Sequence, residues 1–223
     1  MIRMLQVCRL PPAALVVLAA FFAVGSVRAQ TLIPGYPDQV RAYDPRDVAM
    51  LPAYCKYTQE FQERVPGGND HDAVERWKVV LGPTYIHMHH YCWGMMKANR
   101  GSYMARTRFA RNHYLSDAIG EFNYVIERAP EGFVLLPEIL SRKGETLVRL
   151  DRGGEAVLSF ERSLQIKPDY WPPYGHLADY YKGMGDTPKA REILERGLKE
   201  VPDAAALKRR LAELDNKSAQ KSK

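Results

Sequence analysis

Six side chains within ten positions could hold a metal ion. His87, His89, His90, Cys92, Met95 and Met96 offer imidazole, thiolate and thioether donors, a set suited to copper, zinc or haem iron. A helix turns about 100° per residue, so His87 and His90 would lie about 60° apart, whereas His87 and His89 would diverge by about 160°. One helix cannot aim all of them at one ion. The workable pairs are His87 with His90, or His89 with Cys92 or Met96, and each needs ligands from elsewhere, such as His71, His113 or the N-terminal arm. The competing reading is structural: imidazoles donate to neighbouring carbonyls and Trp93 fills a core. The structural reading is preferred, so no cofactor is expected, and copper, zinc or haem is the alternative.

Cys92 has a second possible use. Arg3 and Arg9 precede the apolar run Ala13 to Val24, and Gly25-Ser26-Val27-Arg28-Ala29 follows it, which is the plan of a secretory signal peptide cleaved after Ala29. The run is too short to span a bilayer, and no later segment is long and apolar enough to do so. Removing residues 1–29 takes away Cys8 and leaves Cys55 and Cys92 as the two thiols of an exported chain, for which a disulfide is the default. A thiolate ligand and a disulfide compete for the same sulfur. The formal charge of +6 includes Arg3, Arg9 and Arg28, and the remaining excess is matched by Lys217, Lys221 and Lys223 of the tail. With no interleaving of aromatic and basic residues, a nucleic-acid partner is not expected.

The elements that must position these residues follow from a repeat. Slid by 34 positions, Ala156 falls on Ala190, Phe160 on Leu194, Leu164 on Leu198 and Pro168 on Pro202, while Leu140, Gly144 and Leu147 fall on Tyr174, Ala178 and Tyr181. Large, small and large residues thus recur in a first helix, then Ala, an aromatic or Leu, and Pro in a second. This pattern resembles the tetratricopeptide repeat (TPR). The resemblance implies an all-α, TPR-like α-solenoid of about three helical hairpins with extra N-terminal helices and a C-terminal capping helix. The boundaries read as signal peptide 1–29, extended arm 30–46, N-terminal helices 47–81, a divergent repeat 82–132, repeats 133–168 and 169–203, capping helix 204–215 and a disordered tail 216–223. The helix expected over Asp47 to Arg64 carries Met50, Tyr54, Tyr57 and Phe61 at helical spacing and begins near Pro52. In the first repeat, Trp93, Gly94, Ala118, Phe122 and Pro130 match the pattern, but Gly94 leads Ala118 by twice the spacing that separates Gly144 from Ala156. An insertion of about 12 residues at 102–113 accounts for this, either as a partner-binding loop or as helix extension. The same register puts His90 and Trp93 at packing positions.

In TPR proteins the first helices line a concave groove. Carried over, the groove takes Met88, Tyr91, Met95 and Asn99 from the first repeat, Glu138, Ser141, Glu145 and Arg149 from the second, and Pro172, Gly175, Asp179 and Lys182 from the third. An apolar entry beside a strip of carboxylates suits an extended or helical protein segment with apolar anchors and some positive charge. No nucleophile motif, phosphate-binding glycine loop or zinc-protease helix is present, so the chain is not expected to be an enzyme. By analogy with exported TPR proteins, the expectation is a periplasmic scaffold or assembly factor of a cell-envelope complex.

Overall fold

A computed structural model describes residues 41–221, with side chains to Asn216; the expected signal peptide and most of the arm lie outside the described residues. The described residues are helical, with no strand among them. Helix α1 (Pro45–Ala49) opens on Asp44, whose carboxylate accepts from the Arg46 amide. A 3-10 turn follows at Ala53–Tyr57. Helix α2 (His71–Leu81) starts at Asp70, which caps the Ala73 amide at 3.1 Å, and stops at Gly82. A second 3-10 turn (Gly82–His87) leads into α3 (Met88–Asn99). Three helical hairpins then form from α3 with α4 (Arg108–Ile126), α5 (Leu136–Arg149) with α6 (Gly153–Ile166), and α7 (Pro172–Gly183) with α8 (Thr187–Glu200); α9 (Ala205–Lys221) packs on α8 and α7.

Two expected boundaries change. The helix expected from Asp47 to Arg64 is not continuous. Pro52, which has no amide hydrogen, precedes the 3-10 turn, and the chain becomes extended at Thr58, whose hydroxyl turns back to the Cys55 carbonyl at 2.8 Å. Residues 58–69 then run as turns, with Glu60 at φ +64°. Tyr54 and Phe61 still reach the core. At the other end, the helix expected to stop at 215 continues to Lys221. No Gly or Pro interrupts Asn216 to Lys221, so local sequence gives the backbone no reason to stop.

Each hairpin closes around a small residue in its first helix. A Cβ placed on Gly144 would lie 2.6 Å from the Phe160 ring, and one on Gly94 would lie 2.5 Å from Phe122. The glycines are therefore notches that admit an aromatic ring from the second helix. In the third hairpin, Ala178 occupies the notch position and Leu194 the ring position, and both are buried. Smaller partner and larger notch residue compensate, as close packing requires.

The extra residues of the first hairpin are helical on both sides. α3 runs on through a π-type turn at Arg100–Met104, and α4 begins at Arg108, with Thr107 capping the Ala110 amide at 3.1 Å. Only Ala105–Thr107 lie between. Arg100 holds this extension to α1 through Asp47, with Nε to Oδ1 at 3.0 Å.

Candidate functional site: a cleft between the N-terminal segment and the first helices

The first helices α3, α5 and α7 lie in succession, as the resemblance implies, but the N-terminal segment has already filled part of their shared face. Met88 and Tyr91, expected on the groove, are fully buried in a core shared with Tyr54, Cys55 and Phe61. Tyr91 donates to Glu138 Oε1 at 2.7 Å, so Glu138 serves an internal phenol. Burial beside this carboxylate pushes the neighbouring Tyr170 hydroxyl up to about 12. Ser141 is also buried. Lys182 faces Glu213 at 3.6 Å and lines neither cavity described below.

The Cys55 and Cys92 sulfurs are bonded, 2.11 Å apart, which ties the N-terminal segment to α3. Trp93 Nε1 donates to the Tyr43 hydroxyl at 2.8 Å, a second tie. The histidines expected as ligands stay close, with the His89 and His90 rings 4.4 Å apart, but they pack on aromatic and carboxylate neighbours. His90 Nδ1 meets Glu121 at 2.6 Å and its ring stacks on Tyr124, His87 meets the edge of Tyr124, and His89 meets Trp93 edge-on. Cys92 is committed to Cys55, and Met96 is buried. Among the described residues no group of three or more His, Cys, Asp or Glu is arranged to hold a metal ion.

What remains open is a cleft in two adjoining parts. The first, about 270 Å³, lies between Ala49–Pro52 and the first helices, over Met95, Ala98, Asn99, Phe122, Arg142 and Thr146. The second, about 360 Å³, is lined by Val148, Phe160, His176, Asp179, Tyr180 and Arg210. Glu145 and Arg149 line both. Met95, Asn99, Glu145, Arg149 and Asp179 are therefore the expected groove residues that the fold brings together.

The expected carboxylate strip is instead neutralised from within. Glu145 accepts from Arg149 at 2.9 Å and from Arg142 at 3.3 Å, and Asp179 accepts from Arg210 at 3.0 Å. With three arginines around two carboxylates, the rim is net basic. Arg142 stands one turn ahead of Glu145, and His176 one turn ahead of Asp179, so the i to i+3 spacing could have placed both on this face. No local signal could have placed Met50 and Leu51 there.

Burial pushes the Glu145 carboxyl up, but the Arg149 hydrogen bond and the charges of His176 and Arg142 outweigh it and leave the group below its ordinary value. Burial holds His176 below its ordinary value, against the pull of Glu145, and burial does the same to His87 and His89. For a histidine whose folded value is depressed, the unfolded chain takes up protons first. Stability is then fully present above about pH 6.5 and is lost as pH falls toward the folded values. Chemical denaturation at a series of pH values should show this loss, and His176→Gln should flatten its slope; an unchanged slope would remove His176 as a contributor.

The tetratricopeptide repeat family model matches residues 147–214. The chain is 30% identical over 103 residues to the Hsp70-Hsp90 organizing protein of Triticum aestivum, an alignment that spans 46% of this chain and 17% of that relative. Among solved structures, the first TPR of Spaghetti (RPAP3), determined bound to an HSP90 peptide, is similar over 58% of this chain and 95% of its own, with 13% identity and a TM-score of 0.41. The 34-residue recurrence, the notched hairpins and the family-model match identify tetratricopeptide repeats over residues 147–214 of this chain.

Proposed function

We propose that the chain is a non-enzymatic scaffold, exported to the periplasm of a Gram-negative bacterium, that holds a segment of a cell-envelope complex in its cleft. The observation that carries this reading is the two-part cleft, whose halves share Glu145 and Arg149. Its floor offers Met50, Leu51 and Val148 to an apolar anchor, and its rim offers Arg142, Arg149 and Arg210 to an acidic group. A segment with one apolar side chain and a neighbouring carboxylate fits this surface better than the basic segment read from the sequence, because Glu145 and Asp179 are already paired. The repeat family and the name of the wheat relative, an organizing protein, agree with assembly work. Export rests on the leader at residues 1–29 and on the Cys55–Cys92 bond, which suits an oxidising compartment.

Affinity capture from envelope extract tests this. Ala98→Phe should fill the first part of the cleft, and Arg149→Ala should remove one rim cation while Arg142 still covers Glu145. Each is expected to weaken recovery of the captured partner by roughly tenfold, about 1.4 kcal/mol, with the melting temperature little changed. Full recovery with both variants would count against the cleft, and an intact N-terminus on the cell-associated protein, in place of one starting at Gln30, would count against export.

A further inference from the structure

From Arg76 to Ser116 the chain contains no Asp or Glu, yet it carries Arg76, Lys78, Lys97, Arg100, Arg106, Arg108 and Arg111. Most of these cations are used inside the fold. Lys78 pairs with Glu75, Lys97 with Glu121, Arg100 with Asp47, and Arg111 donates to the Arg149 carbonyl. Arg106 and Arg108 are exposed and have no carboxylate partner among the described residues. They stand at the turn between α3 and α4, where large apolar side chains are also bare: Tyr103 is 67% exposed, Met104 39% and Phe109 84%.

The position of this turn matters as much as its composition. α4 has 19 residues and α6 has 14, so the first hairpin is longer by about 7 Å at 1.5 Å per residue. Arg111, in the first turn of α4, reaches the last residue of α5. Residues 103–109 therefore project past the turn that joins α5 to α6. A projecting tip has no walls with which to grip a peptide, and the apolar part of the cleft is elsewhere. Bare aromatic and thioether side chains flanked by unpaired arginines match an interface that is apolar below and anionic above, the headgroup boundary of a phospholipid bilayer.

We propose that the tip formed by Tyr103, Met104, Arg106, Arg108 and Phe109 docks this protein on an anionic membrane surface. Phe109 and Met104 enter the acyl boundary, and Arg106 and Arg108 meet lipid phosphates. The cleft lies on the other side of Tyr103, which also lines it, so a segment bound there would be presented close to the bilayer. The membrane test is independent of the cleft reading, because it uses purified protein and lipid alone.

Cosedimentation of the full chain with vesicles of phosphatidylcholine, or of an equimolar mixture with phosphatidylglycerol, tests the proposal. The expected result is binding that depends on the anionic lipid and weakens with added salt. Each surface cation contributes about fivefold, so Arg106→Glu with Arg108→Glu should lower the partition coefficient by about 25-fold or more. Phe109→Ser should lower it by about tenfold. All three side chains are exposed, so the melting temperature should not move. Because the leader could itself bind lipid, Phe109→Trp supplies a local readout when read as the difference from the parent protein with its three tryptophans: the added emission should shift to the blue and be quenched by brominated lipid. Equal binding to both vesicle types, binding unaffected by these variants, an unshifted Phe109→Trp emission, or binding to polyglutamate without binding to vesicles would each overturn the proposal.

Discussion

Phe160→Ala is expected to cost about 3–5 kcal/mol, measured as the shift of a urea unfolding transition at constant slope. Phe160 is fully buried, fills the Gly144 notch and stacks on His176 across the interface to the third hairpin. Alanine would leave a void against a glycine, with no side chain on the facing helix able to close it. In a stack where each unit contacts only its neighbours, that loss separates the second hairpin from the third as well as loosening the second. Gly144→Val with Phe160 retained should also destabilise, by about 1–3 kcal/mol, because a Cβ there meets the ring. A cost below 1 kcal/mol for Phe160→Ala would show that the notch is not tightly packed.

Reducing the Cys55–Cys92 bond is the second large effect. The bond spans 37 positions, and the chain-entropy model assigns about 4 kcal/mol to a loop of that length. The bond joins the N-terminal segment to α3 where Tyr54, Phe61, Met88 and Tyr91 share one core. Loss of the bond should therefore release residues 43–65 first. With a dithiol reductant, or in Cys55→Ala/Cys92→Ala, the melting temperature should fall, and hydrogen exchange should quicken in that segment before it quickens in the hairpins from Leu136 to Glu200. A thiol count on the purified protein should find neither Cys55 nor Cys92 free. Stability that is the same with and without reductant would refute the assigned role.

The hairpins were legible because a helical pair repeated at fixed period must bury the same stripe each time, so Gly144, Phe160, Ala178 and Leu194 declare themselves by spacing alone. The groove was legible only in part: Met95, Asn99, Glu145, Arg149 and Asp179 line the cleft, whereas Met88, Tyr91 and Ser141 are buried. Arg142 and Arg210 are not marked by the register, because repeat register marks a face, whereas charge balance depends on which long side chains reach across it. Arg210 reaches Asp179 from α9, 31 positions away.

The sequence by itself determined the period, the hairpins and the sites of their packing notches. These are local consequences of residue size and helical spacing, and neighbouring turns enforce them. Only the tertiary structure decided that the first repeat's face is closed by residues 43–65, that its histidines are divided among Glu121, Tyr124 and Trp93, and that the extra residues of the first hairpin lengthen two helices into a projecting tip. Each of these depends on which distant surfaces meet: Cys55 marks one tie from Tyr43–Val65 to Cys92, but the rest of that segment has no repeating pattern to mark the surface it covers.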